Sequence, residues 1–137
     1  MNYVFDPSFV AALILPDEKD IKMSNLYKKI NNDDRKYTPQ LFWYEIANVF
    51  KNLLRRNRYT PEQVLLFFPK VSAFCLSTDF ETGINYSKKL WELCNKYNLS
   101  SYDAAYLELA DRKKAVLCTL DENLIKAAKT LGVTTIH

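Results

Sequence analysis

Apolar residues along this chain fall into two rhythms. Short blocks of β-forming residues, NYVF at 2–5 and AVLCT at 115–119, alternate with longer stretches whose apolar positions recur every three or four residues. After the first strand, Asp6, Pro7 and Ser8 open a helix to about Leu15, with Pro7 suited to the first helical position. Residues 17–31 predict a second helix on a looser stripe of Ile21, Leu26 and Ile30, and the polar NNDDR run a loop. A brief strand is expected at 36–38. From 39 to about 56 the stripe is firm: Phe42, Ile46, Val49, Phe50 and Leu53 share one helical face. Thr60-Pro61-Glu62-Gln63 is a capping box opening another helix, which Pro69 is expected to kink or end. Further on, the pattern predicts a strand at 74–77, then a helix at 81–97 with Tyr86, Leu90, Leu93 and Cys94 inward. It continues with a helix at 101–113, the strand at 115–119, a helix at 122–131 stopped by Gly132, and a last strand at 133–136. No repeat, linker or low-complexity segment interrupts this order. The expectation is a single α/β domain, residues 1–137, with three layers around a mainly parallel sheet.

Composition changes this picture little. A length of 137 residues is enough to bury a real core, and 48% hydrophobic with 26% charged residues is ordinary for a soluble protein. The net charge of +3 tolerates an anionic partner without demanding one. No run of about 18 apolar residues predicts a membrane span, and Asp6 within the apolar N-terminal stretch argues against a signal peptide. Cys75, Cys94 and Cys118 are odd in number and lack a CxxC spacing, so reduced thiols and a cytoplasmic setting are expected. The two glycines, Gly83 and Gly132, open no phosphate-cradling loop, which excludes P-loop and dinucleotide-binding readings. The only histidine is the terminal His137, a poor base for a Ser-His or Cys-His nucleophile.

Candidate chemistry sits at the joints between elements. In an open parallel sheet, sites form beyond the carboxyl ends of the strands, where the crossover helices begin. Asp6 follows the first strand, Asp121 lies two residues beyond Thr119, Asp103 is in the first turn of its helix, and Glu45 in the second turn of its own. These four acids are expected to converge on one edge of the sheet. Converging carboxylates repel one another unless a cation lies among them. All-oxygen ligands suit Mg²⁺ or Mn²⁺, and helix N-termini nearby favour an anionic substrate. Metal-assisted phosphodiester hydrolysis fits that arrangement.

Each acid also has a structural explanation. Asp6 and Asp121 can be helix caps, Asp103 complements a helix dipole behind Ser100, and Glu45 can be a surface residue. Ser8 and Thr119 can support the site or cap and line the core edge. Asn48, one turn after Glu45, can orient it or be solvated. The basic run Lys51, Arg55, Arg56 and Arg58 can grip RNA or simply match the dipole of a helix C-terminus. Phe42, Trp43, Tyr44 and Phe50 exceed what one helix can turn inward, so part of this aromatic set is expected at an interface.

Three segments, VFDPSFVAALIL, PQLFWYEIANVFKNLLRR and LSSYDAAYLELADRKKAVLCTLDENLIKAAKTLGV, resemble PIN-domain ribonucleases, in particular the VapC-type toxins of VapBC toxin–antitoxin pairs. The resemblance spans about residues 3–133 and is most specific in YDAAYLELA followed by TLDENL. It implies a three-layer PIN-like fold in which Asp6, Glu45, Asp103 and Asp121 hold one or two Mg²⁺ or Mn²⁺ ions, with Ser8 and Thr119 in support. It implies endonucleolytic cleavage of RNA, commonly structured tRNA or rRNA, a homodimer and a VapB-type antitoxin partner. Pro7 and the pair Glu122-Asn123 depart from commoner residues of the pattern; no ligand position is lost. A PIN nuclease of RNA processing outside a toxin system, or a non-catalytic PIN-like binding module, are the competing readings.

Overall fold

The computed structural model describes residues 1–17 and 20–137. Five parallel strands form one sheet in the order β3-β2-β1-β4-β5. They are β1 (Asn2–Phe5), β2 (Arg35–Pro39), β3 (Ser77–Asp79), β4 (Val116–Cys118) and β5 (Thr135–Ile136). The helices are α1 (Pro7–Ile14), α2 (Ile21–Tyr27), α3 (Leu41–Arg55), α4 (Pro61–Leu65), α5 (Phe67–Ser72), α6 (Ile84–Tyr97), α7 (Ser101–Arg112) and α8 (Glu122–Leu131). The chain winds outward from β1 through β2 to β3, then crosses back to β4 and β5. Right-handed crossovers therefore place α1–α5 on one face and α6–α8 on the other. Winding reverses between β1 and β4, which makes the crevice beyond Phe5 and Cys118 the topological switch point.

The core is apolar on both faces of the central strands, as a doubly covered parallel sheet requires. Val4, Phe5, Leu117 and Cys118 are fully buried between Phe9, Val10 and Phe42 of one layer and Leu107 and Leu109 of the other. Phe5, Phe9, Tyr27 and Phe74 meet edge to face, the arrangement ring quadrupoles prefer. No helix among the described residues is long and apolar enough to cross a membrane.

Several elements differ from the pattern-based expectation, each for a local reason. The helix expected at 17–31 spans only Ile21–Tyr27, because Asp20 caps it by accepting the N–H groups of Lys22 and Met23; positions 18–19 lie outside the described residues. Pro69 does not end a helix but sits in the first turn of α5. Its ring and missing N–H are incompatible with the carbonyl four residues earlier, so the break falls at Leu65–Leu66. The strand expected at 74–77 is a turn up to Cys75, which is left-handed at φ 53°, and β3 begins only at Ser77. Gly83, at φ 99°, holds an extended turn that delays α6 to Ile84. Tyr86, Leu90, Leu93 and Cys94 do form the inward side of α6, yet all are half-buried and no residue of that helix is fully buried.

Candidate active site

Asp6 ends β1 and begins α1. As N-cap it accepts the Phe9 N–H at 3.0 Å, which satisfies one orphan donor of the first turn. Ser8 donates its hydroxyl to the same carboxylate oxygen at 2.7 Å, and Thr119 donates to the other. Ser8 in turn accepts the Leu120 N–H at 2.9 Å, and Thr119 accepts the Asp121 N–H at 3.0 Å. The two hydroxyls thus tie the start of α1 to the loop after β4, across the switch point. A carboxylate has about four acceptor positions; three are used here, leaving one on the oxygen that faces Thr119. Asp6 is only 6% exposed, and Thr119 is fully buried.

The other acids approach from three helices. Asp121 caps α8 through the Leu124 N–H at 2.8 Å. Asp103 is in the first turn of α7, where Ser100 accepts its N–H at 3.1 Å. Glu45 projects from the second turn of α3 and accepts the hydroxyl of Tyr106 at 2.7 Å. Capping and convergence are therefore compatible: Asp6 and Asp121 are caps and also belong to the shared edge.

Their electrostatics record this proximity. Burial pushes the Asp6 carboxyl above the ordinary range; its three hydrogen bonds oppose the rise and Asp121 adds to it. Glu45 is raised chiefly by burial, with Tyr106 opposing and Asp6 and Asp103 adding. Asp103 is raised by burial and by Asp121. Tyr106 is held protonated by burial and by Glu45, so it donates and does not ionise. Among the described residues no three carboxylate, imidazole or thiolate groups close into a ready-made cage. The acids stand near enough to raise one another. An all-oxygen set with one open acceptor on a buried, firmly oriented Asp6 fits a hard divalent ion.

Residues expected to assist are divided by the structure. Ser8 and Thr119 hold Asp6. Asn48 is exposed, and among the described residues no hydrogen bond joins its side chain to Glu45; Tyr106 orients that acid instead. Lys51, Arg55 and Arg56 are exposed, and Arg58 pairs with Asp17. Of the aromatic run, Phe42 and Phe50 are buried, whereas Trp43 is 40% and Tyr44 71% exposed.

Sequence reasoning missed Tyr106, although its i+3 spacing from Asp103 places it on the same face of α7. It also missed an ion cluster on the far side of that helix. Buried Glu108 accepts two bonds from Arg112, at 2.7 and 3.1 Å, and faces Lys89 at 3.4 Å. Arg112 forks onto Asp79 at 2.6 and 3.1 Å. This cluster fastens α6 and the edge strand β3 to α7; burial, with Glu108 and Asp79 adding, pushes the Tyr86 hydroxyl up to about 12. The Glu108/Arg112 spacing of i, i+4 was its one sequence signal.

A two-layered sheet surround, a switch-point crevice and carboxylates from four elements define an α/β protein with an acidic site at the carboxyl edge. The chain belongs to the PIN-domain family: the model of the PIN domain matches residues 3–130. Ribonuclease VapC3 of Pyrobaculum aerophilum is 27% identical over 124 residues, 90% of this chain and 92% of that one. The fold is similar to the crystal structure of PAE2754 from Pyrobaculum aerophilum, at a TM-score of 0.68 and 21% identity, covering 98% of this chain and 92% of that one. VapBC-1 from nontypeable Haemophilus influenzae gives 0.65 and 12%, covering 99% and 97%. VapC20 of Mycobacterium tuberculosis, described as a sarcin-ricin loop cleaving toxin, gives 0.64 and 16%, covering 91% and 94%. The three-layer α/β expectation and the resemblance to PIN domains are both borne out.

Proposed function

We propose that this PIN-domain protein is a metal-dependent endoribonuclease, hydrolysing RNA phosphodiester bonds as the toxin of a type II toxin–antitoxin module. The observation that carries the chemistry is the meeting of Asp6, Glu45, Asp103 and Asp121 at the switch point, with three of them raised by burial and mutual repulsion. Asp6, Asp103 and Glu45 would hold Mg²⁺ or Mn²⁺, with Asp121 completing the set. Such an ion supplies Lewis-acid polarisation of the phosphate and acidifies an attacking water. The chain's own residues do the rest. Ser8, Thr119 and the Phe9 N–H fix the Asp6 carboxylate, and Tyr106 fixes Glu45. The N-termini of α1, α7 and α8 face the same edge and favour the anionic substrate.

The name of the VapC3 relative supports ribonuclease activity, and the description of VapC20 supports a structured RNA such as an rRNA or tRNA loop as target. The VapBC complexes among the structural relatives support a VapB-type antitoxin partner. Exposed Trp43, Tyr44, Phe80, Ile84, Trp91 and Tyr102 support a homodimer, since large apolar side chains seldom stay in water together.

Purified protein should cut RNA with Mg²⁺ or Mn²⁺ and stop on adding EDTA. Asp6→Asn and Asp103→Asn should abolish cutting while melting cooperatively. Cleavage that survives in those variants excludes the mechanism. Growth arrest on expression, relieved by a small protein encoded alongside, separates a toxin from a processing nuclease.

A further inference from the structure

Building on the ribonuclease reading, we propose that the RNA strand on one side of the scissile phosphate lies in the groove between α1 and α3, with Arg56 gripping its backbone. This groove, about 380 Å³, starts at residues bonded to the acidic site and not at the acids themselves. Ser8, which donates to Asp6, and Leu120, whose N–H donates to Ser8, form its near end. Val49, Asn52, Leu53 and Arg56 form the α3 wall. At 3.6 residues per turn, positions 45, 49, 52 and 56 fall within about 60° of one another, so the groove follows the face that carries Glu45. With a rise of 1.5 Å per residue, Arg56 lies about 17 Å along that face from Glu45, enough for a short run of extended RNA. The floor of small apolar side chains suits bases and riboses, while the cation at the far end suits a phosphate.

Charge separates this groove from the other cleft beside the acids. The cleft between α3 and α7 is lined by Tyr44, Tyr86 and Tyr102, by Asp79, which Arg112 neutralises, and by Glu81, which repels a phosphate backbone; no lysine or arginine lines it. The α1/α3 groove is lined by two arginines and no acid. Arg58, one of the two, is held by Asp17, which also accepts the Tyr59 hydroxyl, so its charge is partly neutralised. Arg56 is exposed and has no ion pair with another described residue. It is the stronger phosphate contact of the two.

The test measures binding apart from cutting. A fluorescein-labelled single-stranded oligoribonucleotide is titrated with the full chain in EDTA, by anisotropy, over a series of salt concentrations. Arg56→Glu and, at the groove wall, Asn52→Glu should each weaken binding roughly five-fold or more. Arg56→Gln should lower the slope of log affinity against log salt by about 0.7, the value for one phosphate contact on a single strand. Lys129→Glu, at the far end of α8, should change neither beyond its effect on net charge. Affinity and slope unaltered in Arg56→Glu and Asn52→Glu, or lowered equally by Lys129→Glu, overturn the proposal; the first result is also what a groove reserved for a peptide partner would give. Arg56-dependent binding by a protein that cuts no RNA with Mg²⁺ or Mn²⁺ keeps the groove and removes the nuclease. Cutting that is unimpaired in Arg56→Glu does the reverse.

Discussion

Replacing Tyr106 by Phe removes one hydroxyl and leaves a buried ring of nearly the same volume in place. That hydroxyl donates to Glu45 at 2.7 Å and is the side-chain partner that holds this carboxylate. A hydrogen bond to a charged group contributes about 1.5–3 kcal/mol. Glu45 is half-exposed, so water recovers part of the loss, and about 1–1.5 kcal/mol is the expected destabilisation at neutral pH. For a chain of this length that lowers the melting temperature by roughly 3–7 °C. The effect should depend on pH, with a definite sign. Burial already holds Glu45 above the ordinary carboxyl range, and the Tyr106 bond opposes that rise, so the variant raises Glu45 further. The folded state then keeps its proton to higher pH than the unfolded chain does, and stability from this group falls as pH rises through the raised value. The gap between wild type and variant should therefore be small near pH ~4, where Glu45 is protonated in both, and widen toward neutrality. Urea or thermal unfolding of metal-free protein across that range measures it, and the acid limb of the cleavage profile should move up in parallel. A gap that is absent, or that does not change with pH, would refute the role assigned to the Tyr106–Glu45 bond.

Asp6→Asn removes a buried charge whose burial outweighs its three hydrogen bonds, so metal-free protein should melt higher at neutral pH, by ~1 kcal/mol in stability, and lose the advantage as pH falls through the raised Asp6 value. Scanning calorimetry checks this, and a lower melting temperature would show that the carboxylate is better accommodated than its burial implies. Mn²⁺ at a hundred times its dissociation constant should stabilise the wild type by about 2.7 kcal/mol, and the shift should vanish in Asp103→Asn but persist in Lys129→Ala. Arg112→Ala leaves buried Glu108 with Lys89, at 3.4 Å, as its one cation among the described residues, and should cost about 3–5 kcal/mol in denaturant unfolding. Arg112→Lys should recover little, because an ammonium cannot fork onto Asp79 and Glu108 together.

Legibility followed the range of the interaction involved. The span of β1, the capping box at Thr60, the bounds of α8 and the left-handed Gly132 agree with the expectation, since each depends on neighbours within one turn. That Asp6, Glu45, Asp103 and Asp121 lie at joints followed from the order of strands and helices. Element edges were less secure where two local signals compete, as at Pro69, whose effect appears one turn upstream, and at Cys75, whose left-handed backbone no residue type announces.

Local pattern was enough to determine that strands alternate with helices, and hence that joints carrying Asp6, Glu45, Asp103 and Asp121 share one edge of a parallel sheet. Covalent geometry and side-chain periodicity act over a few residues, so they can be read along the chain. Which hydroxyl orients which acid was decided only by folding. Asn48 is one turn from Glu45 yet points to water, while Tyr106, 61 residues away, reaches it. Thr119 meets Asp6 across 113 residues, and Arg112 meets Asp79 across 33. Such pairings depend on sheet register and helix packing, which the whole chain settles together, and no local spacing encodes them.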